Sequence, residues 1–203
     1  MHYTTAAEAV KLIRSNDSVY IQGSTSIPEV LVRAMTDRAA ELTDVTLYSG
    51  FAVGRADAPY CRPEYKDTFL VNSLFVANNI RRWLAQGYGQ STPAFLGEIP
   101  GLFRDGTLPV DVAILNLSRP NEEGYCSFGV SADLAVSAGL TLAAVVLRPG
   151  SCAVIPLAGL RIISYFSYLF CFVSQINILT FSRGDSTITK THPCYAGCSV
   201  WHG

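Results

Sequence analysis

The stretch "VDVAILNL", Val110 to Leu117, decides the fold. It is nearly continuous in apolar residues, as a strand covered on both faces should be. Working outward, the other apolar runs are short and separated by amphipathic stretches. Val19-Tyr20-Ile21 reads as a short buried strand. Val45-Thr46-Leu47-Tyr48 reads as a second, stopped at Ser49-Gly50, and Thr68 to Val76 contains a third. Thr5 can cap a helix with Glu8 at its third position, putting Ala9, Val10, Leu12 and Ile13 on an apolar face. Asn16-Asp17 then turns the chain. Pro28 opens a second helix with Val30, Leu31, Ala34 and Met35 on one face, and Asn79 to Ala85 forms a short third. Strands alternating with helices predict an α/β domain with a mainly parallel sheet flanked by helices. Working loops in such sheets lie beyond the carboxyl ends of the strands. Three loops meet that rule, at residues 23–27, 49–54 and 119–129.

A chain of 203 residues can bury one substantial core, and at 49% hydrophobic and 15% charged this one is ordered and apolar. A net charge of −1, with its Lys and Arg scattered, leaves no electrostatic footprint for nucleic acid or an anionic membrane. The first residues, MHYTTAAE, carry neither the basic start nor the apolar run of a secretory signal. Six Cys at wide, irregular spacing fit reduced thiols in that setting, and the expected compartment is cytoplasmic.

Composition changes after about Gly139. Leu140 to Phe181 holds only two charges, Arg148 and Arg161, and no carboxylate. Ile162 to Phe181 is long enough to span a membrane, yet its Ser, Gln, Asn and Tyr residues make it a poor span, so a membrane-anchored fragment stays only as the last alternative. The end of the chain, HPCYAGCSVWH, places His192, Cys194, Cys198 and His202 close together. Those spacings are tight for Zn²⁺, so no metal site is expected there.

The loop "NEEGYCSFGVSAD", residues 121–133, resembles a nucleophile loop at first sight. Ser127 has Tyr125 where a nucleophile elbow needs its first glycine. Cys126 needs a base, and the only histidines, His2, His192 and His202, lie near the chain ends. A tight turn permitted by Gly124 and Gly129, with Cys126 as a small buried filler, is the better reading. Glu122 and Glu123 beside it are read as solvated turn residues.

Three stretches together resemble the acetyl-CoA hydrolase/transferase family, which includes the 4-hydroxybutyrate CoA-transferases. They are "AAEAVKLIRSNDSVYIQGSTSIPEVLVRAM", "FLVNSLFVANNIRRWLAQG" and "PAFLGEIPGLFRDGTLPVDVAILNLSRPNEEGYCSFGVSAD". The resemblance implies the N-terminal domain of the CoA-transferase fold over residues 1–139, with residues 140–203 a divergent tail. It implies a truncated, frame-shifted or unspliced continuation past Gly139. It further implies covalent CoA transfer between small acyl-CoA thioesters and carboxylates, with coenzyme A as substrate and no separate cofactor. The nucleophilic glutamate of such proteins lies in the C-terminal domain, and no glutamate follows Glu123 here, so no catalytic residue is assigned. Substrate contact is assigned to Gly23, Ser24, Ser49, Gly50, Asn78, Asn79, Gly124 and Gly129. Ser24 stands where the family usually has a second glycine. The apolar tail is expected either to pack poorly or to drive self-association into a homo-oligomer.

Overall fold

The computed structural model describes residues 2–50, 58–119, 121–123, 125–128, 131–132, 134–140, 144–147, 152–156 and 161–162. All of them fall within one compact unit of residues 1–169. The strands are β1 (His2–Thr4), β2 (Ser18–Ile21), β3 (Val45–Ser49), β4 (Phe69–Ser73), β5 (Gln90–Ser91), β6 (Val112–Ile114), β7 (Tyr125–Cys126), β8 (Ala144–Leu147), β9 (Cys152–Pro156) and β10 (Arg161–Ile162). The helices are α1 (Ala6–Ala9), α2 (Glu29–Asp37), α3 (Asn78–Ala85), α4 (Ile99–Arg104) and α5 (Ala135–Leu140).

The main sheet has 8 strands in the order β1-β9-β8-β6-β2-β3-β4-β5. Every pairing from β8 across to β5 is parallel, and β9 closes the sheet antiparallel to both β8 and β1. Alternate residues feed two cores, because strand side chains point to opposite faces in turn. Val19, Ile21, Val45, Leu47, Val112 and Ile114 pack on one face with Leu31 and Met35 of α2 and Ile80 of α3. Tyr20, Tyr48, Ala113 and Leu115 pack on the other with Phe103 of α4 and Ala135 and Ala138 of α5. The expected mainly parallel α/β sheet flanked by helices is what the chain forms.

The decisive stretch is central and covered on both sides, but its ladder is shorter than the apolar run. Only Val112–Ile114 pairs as strand, while Leu115 and Leu117 remain buried outside it. There the ladder gives way to a side-chain bond, with the Asn116 N–H donating to the Gln22 side-chain oxygen at 2.6 Å. At the opposite end, Ser18 N–H donates to Asp111 Oδ2 and Asp111 N–H returns to the Ser18 carbonyl, both at 2.8 Å, which sets the β2–β6 register.

The capped first helix is present, with Glu8 N–H donating to Thr5 Oγ1 at 3.2 Å. The second helix is rotated from the expected face. Leu31, Val32, Met35 and Thr36 are buried, whereas Val30 is 41% exposed. Thr36 is tolerated inside because its hydroxyl donates to the Val32 carbonyl at 2.9 Å. Arg38, just past the helix, donates to the carbonyls of Val10 and Ile13 and so ties α2 to the end of the first helical segment.

Past the Gly139 boundary, β8 takes the parallel position beside β6 and β9 pairs with it. β8 lies in Leu140 to Leu147, a stretch apolar enough to occupy a strand position, and β9, in the following stretch expected to lack a partner surface, also pairs in the sheet, since an open strand edge is a template for another strand. The candidate membrane span beyond Ile162 and the His192–Cys194–Cys198–His202 cluster lie outside the described residues. Among the described residues no helix is long and apolar enough to cross a membrane, and no group of three or more potential ligands could hold a metal.

Cys61 is buried, its thiol donates to the Tyr88 carbonyl at 3.5 Å, and burial pushes its pKa from 9.0 up to about 11. A thiol pKa raised by folding stabilises the fold below the unfolded value and loses that contribution as pH rises through the folded one. Stability against urea should therefore weaken between about pH 9 and 11. Cys61→Ala, compared with wild type at pH 8 and 10.5, should show a smaller loss over that interval. An equal loss would place the alkaline sensitivity elsewhere.

Candidate functional site

In chain order, β2, β3, β4 and β5 step outward in one direction, and β6 then returns to the other side of β2. That reversal opens a crevice at the carboxyl ends of the strands, where ligands of open α/β sheets bind. The loops that follow β2 and β3 and the start of α3 converge beside it.

Gly23 is buried two residues past β2, and its carbonyl accepts from Ser26 N–H at 3.3 Å in the turn that leads to α2. Ser24 follows at φ 55°, in the left-handed region that glycine enters freely and other residues enter at a cost. The backbone thus keeps the conformation a second glycine would supply. Ser49 ends β3, Gly50 comes next, and the Ser49 carbonyl accepts from Leu74 N–H at 2.8 Å, which locks the β3 and β4 ends together. Asn78 and Asn79 open α3.

Four of the residues assigned from sequence meet in one pocket: Gly23, Ser49, Gly50 and Asn79. Its remaining walls are Ile21, Gln22, Ile27 and Tyr60. The pocket volume is about 10 Å³, room for about one water. Ser49 is only 5% exposed, and among the described residues neither its Oγ nor Asn79 Oδ1 has a hydrogen-bond partner. Ser73, the register partner of Ser49 on β4, is also buried, and its Oγ has no partner among the described residues. Asn78 is exposed and, like Ser24, does not line the pocket. Gly124 and Gly129 lie outside the described residues. A wider cleft of about 300 Å³ carries Glu29, Val32, Arg33, Pro59 and Arg62 on its walls.

Gln22 was not singled out from the sequence. It is fully buried, takes Asn116 N–H on its side-chain oxygen, and donates Nε2 to the Ser131 carbonyl at 2.8 Å. The available signal was a polar residue immediately after an apolar strand, aimed at the crevice between β2 and β6.

The described residues at the start of the 121–133 loop are held by side-chain acceptors. Asn121 Oδ1 accepts from the N–H groups of Glu123 and Tyr125 at 3.0 and 2.9 Å, and Ser118 Oγ accepts from Ser127 N–H at 2.9 Å. Cys126 is buried in the second core and burial raises its pKa, the opposite of what a nucleophilic thiolate needs. Glu122 and Glu123 are exposed on the turn. The described pocket walls hold hydrogen-bonding groups and apolar surface but no carboxylate, cation or thiol. Such an arrangement binds and orients a substrate without itself supplying a nucleophile or a base.

The family model of the acetyl-CoA hydrolase/transferase N-terminal domain matches residues 2–148, which takes in the pocket and β8. The 4-hydroxybutyrate coenzyme A transferase of Clostridium kluyveri is 34% identical over 129 residues, 64% of this chain and 30% of that protein. The solved 4-hydroxybutyrate CoA-transferase from Porphyromonas gingivalis is 27% identical at a TM-score of 0.55, covering 80% of this chain and 38% of that one. RipA from Yersinia pestis shares the fold, with a TM-score of 0.65 at 21% identity over 86% of this chain and 44% of that one. The chain spans between 26% and 30% of the length of the curated relatives it matches. With the family's N-terminal domain matched from the first strand to the end of β8, this chain belongs to the acetyl-CoA hydrolase/transferase family.

Proposed function

We propose that this chain serves CoA transfer between small acyl-CoA thioesters and carboxylates, holding the acyl group while a carboxylate nucleophile comes from outside these 203 residues. The observation that carries this reading is the pocket at the carboxyl ends of β2 and β3, whose described walls carry no charge and two polar groups with no hydrogen-bond partner among the described residues. Relatives named as CoA transferases for 4-hydroxybutyrate, for succinyl-CoA with acetate, and for butyryl-CoA with acetate support the reaction class. The cleft bearing Arg33 and Arg62 offers cations to the phosphates of coenzyme A. The ion pair of Arg33 with Glu29, at 3.7 Å, is long enough to yield to a phosphate.

The absence of a carboxylate in the described lining supports a second reading, a non-catalytic acyl-CoA-binding or interaction module. The isolated chain should show no acetyl-CoA turnover with any carboxylate acceptor, and borohydride should trap no acyl adduct on Glu122 or Glu123. Turnover by this chain alone would show that a nucleophile has been overlooked. Adding the separately expressed C-terminal domain of a relative distinguishes the two readings: restored turnover supports the transferase half, and thioester binding without turnover supports the module.

A further inference from the structure

Among the described residues, the large apolar side chains left exposed are Val30, Leu70, Phe75, Phe95 and Leu96. All but Val30 gather at one margin of the sheet, on or just past β4 and β5. Phe69 and Val71 of β4 enter the first core, so Leu70 between them points to the opposite face, as does Leu74, which enters the second core. Asn72 lies between Leu70 and Leu74 on that face, and its Oδ1 accepts from Thr92 Oγ1 at 2.9 Å. Thr92 N–H also donates to the Ser73 carbonyl at 3.0 Å, so the segment leaving β5 is tied to β4 on the face that carries Leu70. Leu70 stays uncovered because Phe103 of α4 sits over Tyr20 and Tyr48, on β2 and β3, and not over β4.

Phe95 is presented on a built turn. Ala94 packs against the second core, and Phe95 next to it turns outward. The Phe95 N–H donates to Glu98 Oε2 at 3.1 Å, and its carbonyl accepts from Glu98 N–H at 2.8 Å. An exposed aromatic on a segment held at both ends is preorganised for a contact. Phe95 is 80% exposed, and Leu70, Phe75 and Leu96 are 47%, 45% and 45% exposed. At about 200 Å² for each whole side chain, the four present about 400 Å² of apolar surface. A standard interface buries about 800 Å² on each partner, a little over half of it apolar. One copy's patch therefore matches the apolar share that one side of a dimer needs. Charge does not oppose such pairing, since residues 87–97, GYGQSTPAFLG, carry none. β5 has only two ladder residues with Pro93 close behind, so a second chain gains little by adding to this edge as a strand. Side-chain contact across a two-fold axis buries both patches at once and closes on itself.

We propose that Leu70, Phe75, Phe95 and Leu96 form the contact surface for a second copy of this chain, in an isologous dimer anchored by Phe95 of each copy. The contact requires nothing from the apolar stretch between Ile162 and Phe181.

Sedimentation equilibrium of the full 203-residue chain across the micromolar range is the test. The mass should rise to twice the 22.0 kDa of one chain. Phe95→Ser should weaken the dimer at least about tenfold, and Leu70→Ser should weaken it less. Val30→Ser trims an exposed apolar residue on α2, away from the patch, and should leave the dimer as tight as wild type. Melting curves of the three variants that overlay wild type confirm that the fold is intact. A wild-type chain that stays monomeric throughout the range overturns the proposal, and so does an assembly larger than a dimer. A dimer that Phe95→Ser and Leu70→Ser leave unweakened also overturns it, and places the contact elsewhere on the chain.

Discussion

Phe103→Ala should cost about 3–5 kcal/mol of unfolding free energy, a large part of the roughly 5–15 kcal/mol available to a domain of this size. Phe103 is 2% exposed and wedges between two tyrosines of the sheet. Its ring lies 5.6 Å from Tyr20 and 6.1 Å from Tyr48, edge-on to both at interplanar angles of 79° and 77°. Truncation removes the buried ring and both aromatic contacts, and leaves a cavity that two large side chains on neighbouring strands cannot readily fill. Because α4 contributes only Ile99 and Phe103 as buried residues, its attachment depends on this wedge. Urea denaturation should show the midpoint falling sharply. Phe103→Leu should recover much of the loss by refilling volume without the edge-on geometry. A loss under about 1 kcal/mol for the alanine variant would mean that α4 does not dock on the Tyr20–Tyr48 face.

The parts of this fold that were readable in sequence are those where local chemistry and tertiary demand agree. The run at Val110 to Leu117 is apolar because both faces of β6 are covered, and the Thr5–Glu8 cap forms because its donor and acceptor are three residues apart. The parts that were not readable depend on long-range geometry. On α2, the pattern from Val30 to Met35 is apolar at adjacent positions, so two helical phases fit it equally. The packing against Val10, Val45 and Tyr60 settles on Val32 in place of Val30. Asn78 and Asn79 are indistinguishable by type, but successive helix positions differ by about 100° in direction, and only Asn79 reaches the pocket. Gln22 escaped notice because its partners are 94 and 109 residues away in sequence.

Gln22 is also the residue whose replacement should be most damaging at the junction of fold and site. It stands at the crevice between β2 and β6, where the strand order reverses, and it is fully buried. Its backbone continues the ladder by donating to the Ile114 carbonyl at 3.1 Å, while its side chain bonds the Asn116 N–H and the Ser131 carbonyl. Gln22→Leu leaves both of those backbone groups without a partner, at about 1–3 kcal/mol each, so a total of about 2–6 kcal/mol is expected. Gln22→Glu separates this bonding role from simple packing, because it keeps the volume. A protonated carboxyl at this position can still accept from the Asn116 N–H and donate to the Ser131 carbonyl. The ionised form can only accept, and sets a buried negative charge against the Ser131 carbonyl. Folding should therefore raise the pKa of the introduced carboxyl above its unfolded value of about 4.3. A raised carboxyl pKa contributes stability below that unfolded value and loses it as pH rises through the folded one. The Gln22→Glu variant should accordingly be most stable in acid relative to wild type and fall behind steadily toward neutral pH. A constant stability difference between pH 4 and 8 would show that the Ser131 bond is not made, and the closure of the β2–β6 crevice would then need another explanation.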